Sequence, residues 1–147
     1  MLTVELVDSM EKLGSLRKAW NDALAKSSVD DAHLTWEWFY AWWKNFGREG
    51  LFVLIVKDSD RVLAIAPFVK QKSRFLGLPV RKISAMRNCY SPRFDIILSE
   101  RENECMEAIL DYLSKEQWDM IELGHIRLQS KTVKLLEGYE KKGSFIF

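Results

Sequence analysis

Residues 34–70 constrain the fold more than any other stretch of this chain. They read LTWEWFYAWWKNFGREGLFVLIVKDSDRVLAIAPFVK: a short segment crowded with tryptophan, then two apolar runs separated by a polar turn. Thr35 is placed to cap a helix and Gly47 to end it. Within that helix Trp36, Phe39 and Trp43 fall on one face and are expected to be mostly buried, while Trp38 and Trp42 form a second stripe. A helix aromatic on two faces needs two surfaces to pack on. One is the sheet; the other is a ligand, a second domain or a partner helix. Leu51 to Lys57 and Val62 to Lys72 read as strands joined by the polar loop Asp58-Ser59-Asp60-Arg61. Pro67 lacks an N–H, so it marks an edge or a bulge where pairing is interrupted.

The remaining elements follow from periodicity. Thr3 to Val7 alternates and is read as a strand. Asp8 with Glu11 forms a capping box for a helix in which Met10, Leu13, Leu16, Trp20 and Leu24 share a face, running to about Lys26. Ser27 to His33 is a polar loop. Gly77-Leu78-Pro79 is a turn, and Val80 to Met86 and Phe94 to Leu98 are strands separated by Asn88-Cys89-Tyr90-Ser91-Pro92. Ser99 and Glu102 suggest a second capping box, opening a helix with Cys105, Ile109, Tyr112 and Leu113 on its apolar face and its end near Gln117. Met120 to Leu123 reads as a buried strand. Ser130 to Lys142 reads as a helix closed by Gly143, and Ser144 to Phe147 as a further strand. An apolar strand with no tail is seldom left uncovered. The chain is therefore expected to be the front part of a longer protein.

Composition narrows the function classes. The chain has 147 residues, which suits one domain with one core. It carries 22 Lys and Arg against 21 Asp and Glu, a net charge of +1, so no global basic field points to nucleic acid. No apolar run approaches the roughly 20 residues that span a bilayer, and no membrane insertion is expected. The acidic N-terminus does not read as an export signal. Cys89 and Cys105 are isolated, which fits a reducing cytoplasm, and His33 and His125 add no zinc-ligand spacing.

The candidate binding residues are Trp42, Asn88, Tyr90, Ser91 and Asp95. Trp42 is able to stack on a sugar ring or nucleotide, or to serve as core and interdomain packing. Asn88, Tyr90, Ser91 and Asp95 lie at a loop-to-strand boundary, where a rigid sheet often places binding groups. Turn chemistry is the alternative for them, with Asp95 pairing to Arg93 or a backbone N–H. Arg74, Arg81, Lys82 and Arg87 either attract an anionic glycan or phosphate, or form a solvated strand face. His125, after Gly124 at a strand end, is a site group or a structural one. Cys89 has no nearby histidine and reads as a small buried residue. No catalytic residue is identified and no metal is expected.

The element order β-α-α-β-β-β-β-α-β-α-β resembles the GNAT acyltransferase fold: α/β (α+β), with a mixed, largely antiparallel sheet flanked by helices. More narrowly, the chain resembles the N-terminal half of tandem GNAT-like acetyltransferases of cellulose and exopolysaccharide synthesis, relatives of the FemAB transferases. The residues that carry this are Leu34-Thr35-Trp36-Glu37-Trp38 with Trp42 and Trp43, Ala64 to Phe68, Ser91 to Leu98, and Trp118 to Leu123. The resemblance implies a cytoplasmic acyltransferase using acyl-CoA (acetyl-CoA), and a missing C-terminal GNAT-like domain as partner. A homodimer is the alternative cover for the apolar terminus.

One departure matters for mechanism. The family cradles the cofactor pyrophosphate at a glycine-rich strand-to-helix turn. The matching junction here reads Ser99-Glu100-Arg101-Glu102-Asn103-Glu104, with no glycine and three glutamates. Two like charges about 6 Å apart repel by about 1–3 kcal/mol at effective dielectrics between water and a protein surface. No cofactor is therefore expected on this chain itself, which would supply acceptor contacts or the interdomain wall. The alternative is a catalytically inactive GNAT-like binding or assembly module.

Overall fold

The computed structural model describes residues 1–140. Its elements are β1 (Leu2–Val7), α1 (Met10–Gly14), α2 (Arg17–Lys26), a 3-10 turn (Ala32–Leu34), α3 (Trp36–Phe46), β2 (Leu51–Asp58), β3 (Arg61–Phe75), β4 (Leu78–Ala85), β5 (Ile97–Leu98), α4 (Glu102–Lys115), β6 (Met120–Glu122) and α5 (Lys131–Glu140). The sheet order is β1-β2-β3-β4-β6, with β5 also paired to β3. Among the described strands, only β4 and β6 run parallel. The architecture is thus α+β with a largely antiparallel sheet flanked by helices. Gly143 and the strand expected at Ser144 to Phe147 lie outside the described residues.

Leu51 to Val56 are buried without alternation, so β2 is covered on both faces. Helix α2 packs on β3 and β5, and α4 packs on β1, β2 and β3. Phe52 meets Tyr112 of α4 at 6.2 Å between ring centroids. Leu13, Trp20, Leu24 and Phe39 complete the core beside α3, and the Trp20 indole donates to Leu34 O at 2.9 Å.

Helix boundaries depart from the sequence reading in two places. The single helix expected over Met10 to Lys26 is two, broken at Ser15-Leu16. Its cap is Ser9, which accepts from Lys12 N at 3.3 Å, while Asp8 pairs with the Lys12 ammonium at 2.8 Å. Helix α4 has no Ser99 capping box. Ser99 instead continues the sheet, its N–H and hydroxyl both donating to Leu63 O at 2.8 Å. Arg101 then turns the chain through the left-handed region, φ 49°, to start α4. By contrast, Thr35 does cap α3, accepting from Trp38 N at 3.3 Å, and Gly47 ends it by donating to Trp43 O at 2.8 Å.

Strand lengths also differ. The first hairpin turns tightly at Ser59-Asp60, with Ser59 at φ 56°. β6 is shorter and less buried than expected: Met120 and Ile121 are half-buried and Glu122 is exposed, paired to Lys82 at 2.6 Å. The strand expected over Phe94 to Leu98 shrinks to Ile97–Leu98. β4 and β5 together run along β3, and residues 86–96 between them leave the sheet. Pro67 stands opposite that gap. Its carbonyl accepts from Met86 N at 2.9 Å, so its missing N–H faces the side where pairing breaks off.

Candidate functional site

The excursion at residues 86–96 lies beyond the carboxyl ends of the parallel pair β4 and β6, the end at which open sheets commonly bind ligands. Phe94 N donates to His125 O at 3.4 Å, linking the excursion to the chain beyond β6. Arg87 reaches across to Gly124, where an added Cβ would sit 3.3 Å from its Nη1. The Arg87 Nε is buried and has no hydrogen-bond partner among the described residues.

The sequence candidates divide into three groups. Asn88 and Ser91 close a turn: the Asn88 side chain accepts from Tyr90 N at 3.0 Å, and Ser91 N donates to Asn88 O at 3.0 Å. Ser91 is buried. Turn geometry accounts for both.

Tyr90 and Trp42 form the second group. Tyr90 is 69% exposed, and its ring stacks on Phe46 at 5.9 Å with 22° between planes. Phe46 in turn lies 5.8 Å from Trp42. These three rings make an aromatic ledge joining the end of α3 to the excursion. Phe46 was not a sequence candidate; its signal was the four-residue spacing from Trp42 on one helix stripe. The Trp42 Nε1 is buried without a partner among the described residues, although the ring is only half-buried.

Helix α3 is less enclosed than its pattern suggested. Phe39 is buried, whereas Trp36 and Trp43 are half-buried. Trp36 explains why: its indole donates to Leu13 O at 2.7 Å and its ring lies under Arg17 at 5.7 Å, at the rim of α1 and α2.

Asp95 is the third group, and it stands apart from the ledge. Its carboxylate accepts from Ser130 Oγ at 2.7 Å, Thr132 Oγ1 at 2.5 Å and Ile96 N at 2.9 Å. Burial pushes its pKa above the ordinary carboxylate value, and those three donors pull the other way. Arg93 pairs with Asp31 at 2.9 Å rather than with Asp95. Asp95 therefore fastens the excursion to the start of α5, on one wall of a hollow of about 370 Å³ shared with Asp31, Arg93 and Lys134.

His125 is exposed in a left-handed conformation, φ 63°. Cys89 is exposed, not buried as its lack of a partner had suggested, because it sits at the outer bend of the excursion. A larger apolar hollow, about 740 Å³, lies between α4, β6 and α5 and is lined by Met106, Ile109, Ile121 and Leu136. Among the described residues no group of three His, Cys, Asp or Glu side chains is placed to hold a metal.

The start of α4 is crowded with charge. Glu100 faces Arg61 at 3.2 Å and Lys26 at 3.9 Å. Arg101 pairs with Asp58 at 2.8 Å and with Glu104. Glu102 pairs with Lys131 of α5. The Arg101 guanidinium holds Glu104 below the usual carboxylate range.

No family model matches the chain, and no curated protein matches it in sequence. Solved structures do match. A ribosomal-protein-alanine N-acetyltransferase from Brucella melitensis biovar Abortus 2308 superposes with a TM-score of 0.59 at 16% identity, over 95% of this chain and 90% of its own. A possible acetyltransferase from Clostridium difficile 630 gives 0.57 at 12% identity, over 100% and 92%. An aminoglycoside acetyltransferase from an uncultured soil metagenomic sample, solved with sisomicin, gives 0.50 at 9%, over 99% and 88%. The chain has a GNAT-like fold.

Within a GNAT-like fold, the step from β5 into α4 is the junction that the family resemblance assigns to the cofactor pyrophosphate. In this chain the backbone reaches it through a left-handed arginine instead of glycines. The first turn of α4 carries Glu102 and Glu104, which already suit the positive end of the helix dipole. Lys131, Arg61 and Arg101 are engaged by those glutamates and by Glu100. A phosphate arriving here would meet acid side chains before it met free N–H groups.

Proposed function

We propose that this chain is the GNAT-like domain of an acyltransferase acting in cell-envelope or exopolysaccharide synthesis in the cytoplasm. It supplies acceptor contacts or an interdomain wall, and a second GNAT-like domain holds the acyl-CoA. The observation that carries this reading is the α4 junction, glycine-free and filled by Glu100, Glu102 and Glu104 with their own cationic partners. The aromatic ledge of Trp42, Phe46 and Tyr90 gives the acceptor side something to offer. Flat rings at an exposed edge suit the apolar face of a sugar, and Tyr90 adds a hydroxyl beside them. In the complete enzyme an acyl group passes from the CoA thioester to an acceptor amine or hydroxyl, whose proton goes to a general base.

The same junction also favours a second reading, a catalytically inactive module used for binding or assembly. An acyl-transfer assay separates the two. With acetyl-CoA and a panel of amino sugars and oligosaccharides, the 147-residue chain alone should form no acylated product by mass spectrometry. The chain joined to a second GNAT-like domain should form it, and a lack of transfer there favours the inactive module. Turnover by the chain alone would overturn both readings.

A further inference from the structure

The end of the β3–β4 hairpin is a second exposed apolar cluster, apart from the ledge. β3 outruns its neighbour: β2 pairs with it only as far as Val69, and β6 meets β4 only from Lys82. Residues 70–81 therefore leave the sheet as a two-stranded arm. Arg74 to Pro79 at its end are all exposed, including Phe75 at 54%, Leu76 at 89% and Leu78 at 68%. Large apolar side chains massed at one tip differ from the singly scattered ones that any surface carries.

Leu76 makes the case stronger. Leu76 and Gly77 are the two central residues of the turn, at φ 50° and 82°. Turns of this kind take Asn-Gly or Asp-Gly, because a branched side chain at positive φ is strained. Leu76 thus gives up both turn preference and burial, and nothing among the described residues compensates it. A residue that breaks two local rules without an internal gain points to a function outside the domain.

Charge selects the partner. The arm reads KQKSRFLGLPVRK over residues 70–82, five basic residues and no acid, whereas the rest of a chain of net charge +1 sums to −4. Lys70, Arg81 and Lys82 are engaged by Glu116, Asp119 and Glu122. Lys72 and Arg74 form no ion pair with a described carboxylate, and Arg74 only braces the turn through Gly77 O at 3.4 Å. Arg48 borders the same hollow as Lys72, with Glu49 beside it.

We propose that this hairpin tip docks on the surface of an anionic lipid bilayer. Phe75, Leu76 and Leu78 enter the interface, and Arg74, Lys72 and Arg48 meet the lipid phosphates one step behind. The exposed tip, Arg74 to Pro79, offers far fewer residues than the roughly 20–30 per side of a standard protein interface. Apolar side chains standing in front of the cations also suit a nucleic acid poorly. The sequence expectation of no membrane insertion rested on spanning length, and this contact lies on the membrane without crossing it.

The test is co-sedimentation of the full 147-residue chain with phosphatidylcholine vesicles, with and without phosphatidylserine. Binding should require phosphatidylserine and weaken with added salt. Leu76→Asp and the double change Lys72→Glu with Arg74→Glu should each lower the partition coefficient by about tenfold or more. Leu76→Asn is the decisive variant: it should raise thermal stability, because Asn-Gly suits the turn, while lowering binding. A Leu76→Trp variant should shift its emission to the blue on anionic vesicles. If the wild-type chain stays in the supernatant with both vesicles, the proposal fails. It also fails if Leu76→Asp binds as well as wild type, or if the tip variants abolish a dimer by light scattering with no vesicle binding at all.

Discussion

Asp95 and Ser130 meet across 35 residues of chain, the Ser130 hydroxyl donating to the Asp95 carboxylate at 2.7 Å. This bond, with its neighbour from Thr132, holds the excursion against the start of α5 and so sets where the aromatic ledge stands. Asp95→Ala leaves the buried Ser130 and Thr132 hydroxyls unpaired. It should destabilise the fold by about 1–3 kcal/mol in urea unfolding. An unchanged midpoint would remove Asp95 from this role.

The same carboxyl predicts a pH dependence. Burial raises its folded pKa above the ordinary 3.8. The fold therefore favours the protonated form. That contribution is complete below the unfolded value and is lost as pH rises through the folded one. Asp95→Asn removes the titration. Wild type should be most stable relative to Asp95→Asn in acid, and its relative urea midpoint should fall as pH rises from 3.8. A difference that grows with pH would contradict the assignment.

Two glycines offer a matched pair. Gly50 and Gly77 have φ of 81° and 82°, but an added Cβ at Gly50 would lie 1.7 Å from Lys70 O, whereas Gly77 has nothing within 4 Å. Lys70 N also donates to Gly50 O at 2.7 Å, so the close approach is locked. Gly77→Ala should cost about 1 kcal/mol, the backbone term alone. Gly50→Ala should cost about 3 kcal/mol or more, since backbone must move. Equal melting temperatures for the two variants would refute this.

How much of this was legible in the sequence varied with the range of the interactions. Thr35 and Gly47 delimit α3 through contacts three and four residues away, so their roles could be read directly. Pro67 marked the interruption in β3 because its missing N–H is intrinsic to the residue. Ser99 misled, since its partner Leu63 lies 36 residues back and turned a cap signal into a strand end. Phe94 to Ile96 misled likewise: they read as the start of a strand, but Asp95 is drawn off the sheet by Ser130 and Thr132. Of the candidate site, Trp42 and Tyr90 come together only through Phe46, a contact between helix and excursion that no local pattern encodes. Cys89 looked buried from its chemistry, and only the outward bend of the excursion exposes it.

The cysteines give a simple check of that bend. Cys105 is buried and its thiol is pushed up to about 11, chiefly by burial. Cys89 is exposed. A thiol-reactive aromatic disulfide should therefore label one cysteine quickly in the native protein, and the second only on unfolding. Peptide mapping should find the label on Cys89.

We propose that the α4 junction of this GNAT-like chain does not hold a cofactor pyrophosphate. Isothermal titration of the 147-residue chain with acetyl-CoA tests it most directly. The account predicts no saturable binding at micromolar concentrations, in low salt as well as high. Micromolar binding that is lost when residues around Ser99 to Glu104 are altered would contradict it.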